Sequence, residues 1–252
     1  MMYCSRLLID TGTNPDRPRP GRLWLRNRYH VHQRLCMAFP STSRKAEDPD
    51  FLKPFNSAAF GNGQVHVKRA MDVGFLFRID PLPNGRALII VQSALTPDWG
   101  YAFHNASHLL AAPPEVEPFE PNFSKGQFLR FRLSANPTRR LSKHSPDAKD
   151  NSIGKRVPVP ADKLIDWLVR QAGSAGFLVR RDVTTFTPGY VYISKNGKGQ
   201  RLFSVLYNGL LQVIDPDAFR QTFVSGIGSG KAFGFGLLSV APGNSEGLGH
   251  TV

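Results

Sequence analysis

The order of strand and helix signals predicts an α+β protein that uses one plan twice. Each half of the 252-residue chain reads strand, helix, two strands, helix, strand, the βαββαβ order of a ferredoxin-like unit. Residues 111–122, with four prolines and three glutamates, read as a linker between the halves. Hydrophobic residues make up 41% of the chain, enough for a core in each half. The expected domains are residues 1–115 and 125–252.

In the first half, residues 2–10 form a strand around Leu7, Leu8 and Ile9, followed by a Pro-, Gly- and Asn-rich loop over 11–22. A helix fits 29–39 and ends at Pro40. Residues 41–69 are polar with scattered aromatics and no period, which reads as a long insertion. Strands over 74–79, where Phe75, Phe77 and Ile79 alternate, and over 87–93 flank the turn signal at 81–85. A short helix is expected at 101–110.

The second half opens with a strand over 128–133, then a basic loop over 136–160. A helix over 161–171 places Leu164, Trp167 and Leu168 on one face. Strands over 190–194 and 202–207 flank a turn at 195–199, and a further strand covers 210–214. A helix over 216–224 leads into a glycine-rich loop and a last strand over 235–240.

The net charge of +13 and pI near 10.1 point to a polyanionic partner. The excess is concentrated: residues 1–45 carry +7 and 125–201 carry +11, while 46–124 carry −4 and 202–252 carry −1. A phosphate-binding surface needs such blocks, whereas general solubility does not. No basic stretch has the strong apolar face of an interfacial helix, and no apolar run approaches the roughly 18 residues that span a bilayer. Two cysteines, Cys4 and Cys36, are too few for a disulfide framework, and no signal-peptide core is evident, so a cytoplasmic protein with no membrane partner is expected.

The most distinctive stretch runs over 226–238, where five glycines in eleven residues allow close backbone approach and N–H groups that turn toward a phosphate, with Lys231 adding charge. It is not a nucleotide P-loop. Three residues rather than four separate Gly226 from Gly230, and Ala232 stands where a Ser or Thr would hold magnesium.

Residues 226–242, GIGSGKAFGFGLLSVAP, closely resemble the C-terminal signature of the CasE family, the type I-E CRISPR repeat endoribonucleases of the RAMP superfamily. Residues 2–8 (MYCSRLL), 29–33 (YHVHQ) before Phe39 and Pro40, 131–137 (FRLSANP) and 154–158 (GKRVP) resemble that family in the same order. The resemblance implies tandem ferredoxin-like (RRM-like) domains and metal-independent cleavage at a CRISPR repeat hairpin. It also implies retention of the mature guide RNA within a multisubunit type I-E interference complex, with no cofactor. Residues 11–28 and 41–69 are longer than in compact members.

Metal-free RNA cleavage drives a 2′-hydroxyl onto the adjacent phosphorus, leaving a 2′,3′-cyclic phosphate and a 5′-hydroxyl. It needs a proton acceptor, a proton donor and stabilisation of the phosphorane charge. The resemblance points to His32 as general acid or base, and to Tyr29 as the partner that orients the 2′-hydroxyl or phosphate. On a helix, Val31, Leu35, Ala38 and Phe39 share the buried face, with His32 at its margin and Tyr29 one turn earlier. Some family members carry a basic residue five positions after this histidine, where this chain has Met37, so Lys231 or Arg34 is expected to supply the charge. His30 points elsewhere. His104 and His108 have helical metal-pair spacing but lack the glutamate and third ligand of a zinc motif, so no metal site is expected. Cys36 reads as packing.

RNA binding is expected from Arg139, Arg140, Lys143, Lys155 and Arg156 in the basic loop, and from Gly228, Gly230, Lys231 and Gly234 in the glycine-rich loop. The alternative of another class is an RNA-binding scaffold subunit without activity. Tyr29 and His32 together favour the enzyme.

Overall fold

A computed structural model of the chain describes residues 1–14, 18–39, 74–143, 152–195 and 198–244. The expected insertion at 41–69 lies outside the described residues. The chain divides into two compact units. Unit 1 comprises Met1–Glu120 with Ile193–Gly199 and Ala232–Gly234, and unit 2 comprises Pro121–Tyr192, Gln200–Lys231 and Phe235–Val252.

Unit 1 begins with β1 (Met2–Asp10), then α1 (Pro20–Arg26) and α2 (Arg28–Met37). The sequence read α1 as loop. Pro20 starts it, since a helix tolerates proline in its first turn, where the missing N–H has no partner to lose. Strands β2 (Phe75–Leu82) and β3 (Arg86–Ser93) form a hairpin, with Asn84 and Gly85 at φ 59° and 65° making its turn. The expected helix at 101–110 divides into α3 (Trp99–Phe103) and a 3-10 turn at Ser107–Leu109.

The expected linker contains a strand, β4 (Glu115–Phe119), which pairs antiparallel with β1 and completes the sheet order β2-β3-β1-β4. That is the ferredoxin-like order. The strand is hidden in the sequence because it is an exposed edge with no buried alternation, and an edge position accepts Pro118. Arg6 of β1 binds Glu117 at 3.0 Å and Glu115 at 3.4 Å across this pairing.

The register sets Ser5, Val91 and Phe77 in one row and Leu7, Ile89 and Ile79 in the next, so these side chains share the core face. Val31 and Leu35 of α2 and Trp99 and Phe103 of α3 belong to the same core.

Unit 2 starts with β5 (Phe128–Ala135), followed by a ribbon of β6 (Thr138–Arg140) and β7 (Arg156–Pro158) within the expected basic loop. Then come α4 (Leu164–Gly173), β8 (Phe177–Val179), β9 (Thr185–Lys195), β10 (Lys198–Val213), α5 (Pro216–Ser225) and β11 (Leu238–Pro242). The sheet runs β11-β5-β10-β8, with β9 paired to β10. In chain order this repeats the ferredoxin-like arrangement, and the β9–β10 ribbon is an addition to it.

Two strand assignments change. The second strand of the repeat is the three-residue β8, too short to show a period, rather than residues 190–194. The expected strands at 202–207 and 210–214 are one, because Gly209 continues β10 where Thr184 and the Phe131 ring come too close for a side chain. Leu164, Trp167, Leu168 and Ala172 of α4 are buried against Phe131, Tyr207 and Phe219. The Tyr207 hydroxyl donates to the Leu164 carbonyl at 3.0 Å.

Candidate functional site

The first residues of α2 are set by Asn27. Its side-chain Oδ1 accepts from the Tyr29 N–H at 3.2 Å, capping the helix. The same amide group binds Ser194 of unit 1 twice: Oδ1 accepts from the Ser194 N–H at 2.9 Å and Nδ2 donates to the Ser194 carbonyl at 3.1 Å. The residues that follow are therefore held at a defined position against a second segment of chain. The sequence analysis did not single out Asn27, although an Asn before an apolar-periodic stretch is an N-cap signal that could have found it; no local signal marks the attachment to Ser194.

Tyr29 and His32 are both half-buried on α2, three residues apart and so on one flank of the helix. The imidazole of His32 lies over two aromatic rings of β2. Its centroid is 5.5 Å from that of Phe75 and 6.4 Å from that of Phe77, with a tilt of only 15° to the latter. On the adjacent turn Cys36 brings its Sγ to 3.6 Å from Nε2. Cys36 is buried, as packing requires, yet it is also a neighbour of the His32 ring, which the sequence did not reveal. His30 is exposed.

Arg34 is bound to other residues. It lies two residues beyond His32, on another side of the helix, and donates to the Ala102 carbonyl at 2.9 Å and Asn105 Oδ1 at 2.7 Å. It ties α2 to α3 and to the segment just after it, and burial lowers its pKa. Met37 packs against the unit 1 core.

Arg28, which the sequence did not single out, is the first residue of α2 and is half-buried. Burial lowers its pKa to about 10, with Asp80 drawing it the other way. Asp80 is bound by another cation, since Arg78 donates to its carboxylate from Nε at 3.0 Å and Nη2 at 2.9 Å. The Nη1 atom of Arg28 lies 3.4 Å from where a Cβ on Gly234 would stand, and Phe77 Cε2 lies 3.0 Å from that point. Gly234 has φ 81°, a conformation that favours glycine. In unit 1 the structure thus gathers His32, Phe77, Gly234 and Arg28.

His104 and His108 do not form a pair on one helix, because α3 ends at Phe103. His104 Nδ1 is 2.7 Å from the Tyr101 carbonyl and its ring stacks on that of Tyr101. Among the described residues no group of three His, Cys, Asp or Glu side chains is placed to hold a metal ion.

The basic surface lies in unit 2. The β6–β7 ribbon sets Arg140 directly opposite Arg156, and Arg139 opposite Val157. Arg140, Lys143, Lys155 and Arg156 are exposed, while Arg139 is half-buried. Like charges opposed across a ladder destabilise an isolated ribbon, so the arrangement suits a surface that receives an anion. Arg156 also donates to the Thr138 hydroxyl at 3.2 Å. Residues 144–151 of the expected basic loop lie outside the described residues.

Parts of the glycine-rich loop serve packing. Gly228 lies against the Trp167 ring, and a Cβ on Gly230 would stand 2.8 Å from the Phe235 ring. The N–H of Ile227 donates to the Gly236 carbonyl and that of Gly236 to Ser134. Lys231 starts a 3-10 turn, Lys231–Phe233.

The family model described as "CRISPR associated protein" matches residues 2–242. The CRISPR-associated endoribonuclease Cse3 of Thermus thermophilus is 33% identical over 193 residues, covering 70% of this chain and 85% of that protein. The CRISPR system Cascade subunit CasE of Escherichia coli K12 is 28% identical over 246 residues, covering 96% of this chain and all of that one, 100%. Among solved structures, Thermus thermophilus Cse3 bound to an RNA representing a pre-cleavage complex superposes with a TM-score of 0.67 at 28% identity, covering 96% of this chain and 99% of that chain.

Proposed function

The chain belongs to the CRISPR associated protein family, in its CasE (Cse3) branch, and on that premise we propose that it is a metal-independent endoribonuclease that processes CRISPR precursor RNA. It binds the repeat hairpin, cuts it once, and remains on the mature guide RNA as a subunit of a type I-E interference complex in the cytoplasm. The observation that carries the reading is the half-buried His32, held over Phe75 and Phe77 with Tyr29 on the same flank of α2.

The reaction is a transesterification. The 2′-oxygen bonds to phosphorus, the bond from phosphorus to the 5′-oxygen breaks, and one proton leaves the 2′-hydroxyl while one arrives on the 5′-oxygen. His32 carries one or both of these protons, since an imidazole titrates near neutrality. Tyr29 orients the 2′-hydroxyl or the phosphate. The expected domains, 1–115 and 125–252, divide the labour. The first carries the catalytic helix; the second binds RNA through Arg139, Arg140, Lys143, Lys155 and Arg156, with the loop bearing Gly228, Gly230 and Lys231 at the backbone. No helix among the described residues is long and apolar enough to cross a membrane.

The test incubates the protein with a cognate repeat RNA in excess EDTA, beside His32→Ala. Expected are EDTA-resistant cleavage, a 2′,3′-cyclic phosphate on the upstream product, and a His32→Ala protein that binds RNA but does not cut it. Cleavage that appears only with added metal would overturn the mechanism, and cleavage by neither protein would leave an RNA-binding scaffold.

A further inference from the structure

A phosphorane carries more negative charge than the phosphodiester it forms from, and in a partly dry site that charge needs a fixed cation. On α2, Arg34 is held by Ala102 and Asn105. Arg28 differs. It lies one turn before His32, four residues away and so on nearly the same stripe of the helix. Among the described residues its guanidinium makes no hydrogen bond or ion pair; Asp80, which draws on it electrostatically, is held by Arg78.

This placement is unfavourable for the protein alone. A guanidinium that burial desolvates and that no hydrogen bond to the described residues satisfies destabilises the fold, and a cation in the first turn opposes the helix macrodipole, which favours anions there. Asn at the cap is already bound to the Tyr29 N–H, and no acidic residue stands in the first turn to compensate. An anion arriving from outside reverses both costs, since it pairs with the guanidinium and sits at the positive end of the helix. Gly234 has no side chain where a Cβ would stand 3.4 Å from Nη1, and the same point lies 3.0 Å from Phe77, whose ring is stacked with His32.

We propose that Arg28 is a catalytic residue that binds nonbridging oxygens of the scissile phosphate beside His32 and stabilises the charge building on the phosphorane. The assignment rests on the endoribonuclease reading above. Arg28 exchanges no proton in the step; the proton balance is that given for His32, and its guanidinium stays charged throughout.

The test uses the full chain under single-turnover conditions with a cognate repeat RNA, and measures binding separately with RNA made uncleavable by 2′-deoxy substitution at the cut site. Arg28→Met keeps the aliphatic stem and removes the charge. It is expected to slow cleavage about 10²- to 10³-fold, the cost of removing one oxyanion donor, with RNA affinity within a few-fold of the parent. Adding guanidinium ion to Arg28→Ala is expected to restore part of the rate, which a packing role would not produce. Should Arg28→Met melt well below the parent, the guanidinium titration decides: recovery supports the role and no recovery overturns it. Parent-rate cleavage by Arg28→Met beside an inactive His32→Ala overturns Arg28 alone. Parent-rate cleavage by His32→Ala overturns the site reading, and Arg28 with it.

Discussion

The thiol of Cys36 lies 3.6 Å from Nε2 of His32, one turn further along the same helix. With Phe75 and Phe77 beneath the ring, this contact leaves the imidazole little freedom to turn. Cys36→Ala removes it. The expected result is a stability loss of about 1 kcal/mol from the small cavity and a several-fold slower cleavage step from a less well-placed ring. Thermal melting and single-turnover rates measure the two effects, and an unchanged rate would show that the thiol does not position His32.

Gly234→Ala tests the crowding around Arg28. At φ 81° an alanine is strained by about 1–2 kcal/mol, and its Cβ would meet Phe77 at 3.0 Å and Arg28 at 3.4 Å. Gly126 provides the comparison, since its φ is 83° and nothing lies within 4 Å of its missing Cβ. Both alanine variants should lose stability, but only Gly234→Ala should slow cleavage, by about 10-fold for a displaced catalytic group. Equal cleavage by the two would remove Gly234 from the site.

The opposed pair Arg140 and Arg156 should act on RNA rather than on the fold. Replacing both with Ala is expected to leave the melting temperature unchanged or slightly raised, because a like-charge pair is removed. The slope of log affinity against log salt should flatten by about 1.4–1.8, two phosphate contacts' worth. An unchanged slope would mean that the RNA does not lie on this ribbon.

Arg34→Ala separates structure from catalysis. Loss of the bonds to Ala102 and Asn105 should cost about 2 kcal/mol or more, since a hydrogen bond from a charged donor contributes ~1.5–3 kcal/mol. Well below its lowered melting temperature, the variant should still cleave at close to the parent rate. A folded Arg34→Ala protein that fails to cleave would restore the expectation that Arg34 supplies charge at the phosphate.

Much of the fold was legible because buried elements announce their period. The strand at residues 2–10, the β2–β3 hairpin and the helix bearing Leu164, Trp167 and Leu168 all bury one face, and their side chains alternate or recur accordingly. The elements that were missed lack that signature. β4 is an exposed edge, β8 has three residues, and α1 is a single short helix behind a proline-rich stretch. For the candidate site, the helix and the flank shared by Tyr29 and His32 follow from local spacing. Arg28 was missed because a lone arginine at a helix start looks like a solvated charge.

The sequence by itself determined the kind of partner, through two concentrated basic blocks, and the doubled βαββαβ order. It also determined the family resemblance that singled out His32. Only the tertiary structure decided which residues surround that histidine. Gly234 and Arg28 are 206 positions apart in the chain, and Asn27 and Ser194 are 167 apart. Periodicity tells which face of an element is buried, but what stands across from that face depends on how the chain closes. The same closure places Arg34 against Ala102, whereas the guanidinium of Arg28, six residues earlier on the same helix, makes no hydrogen bond among the described residues.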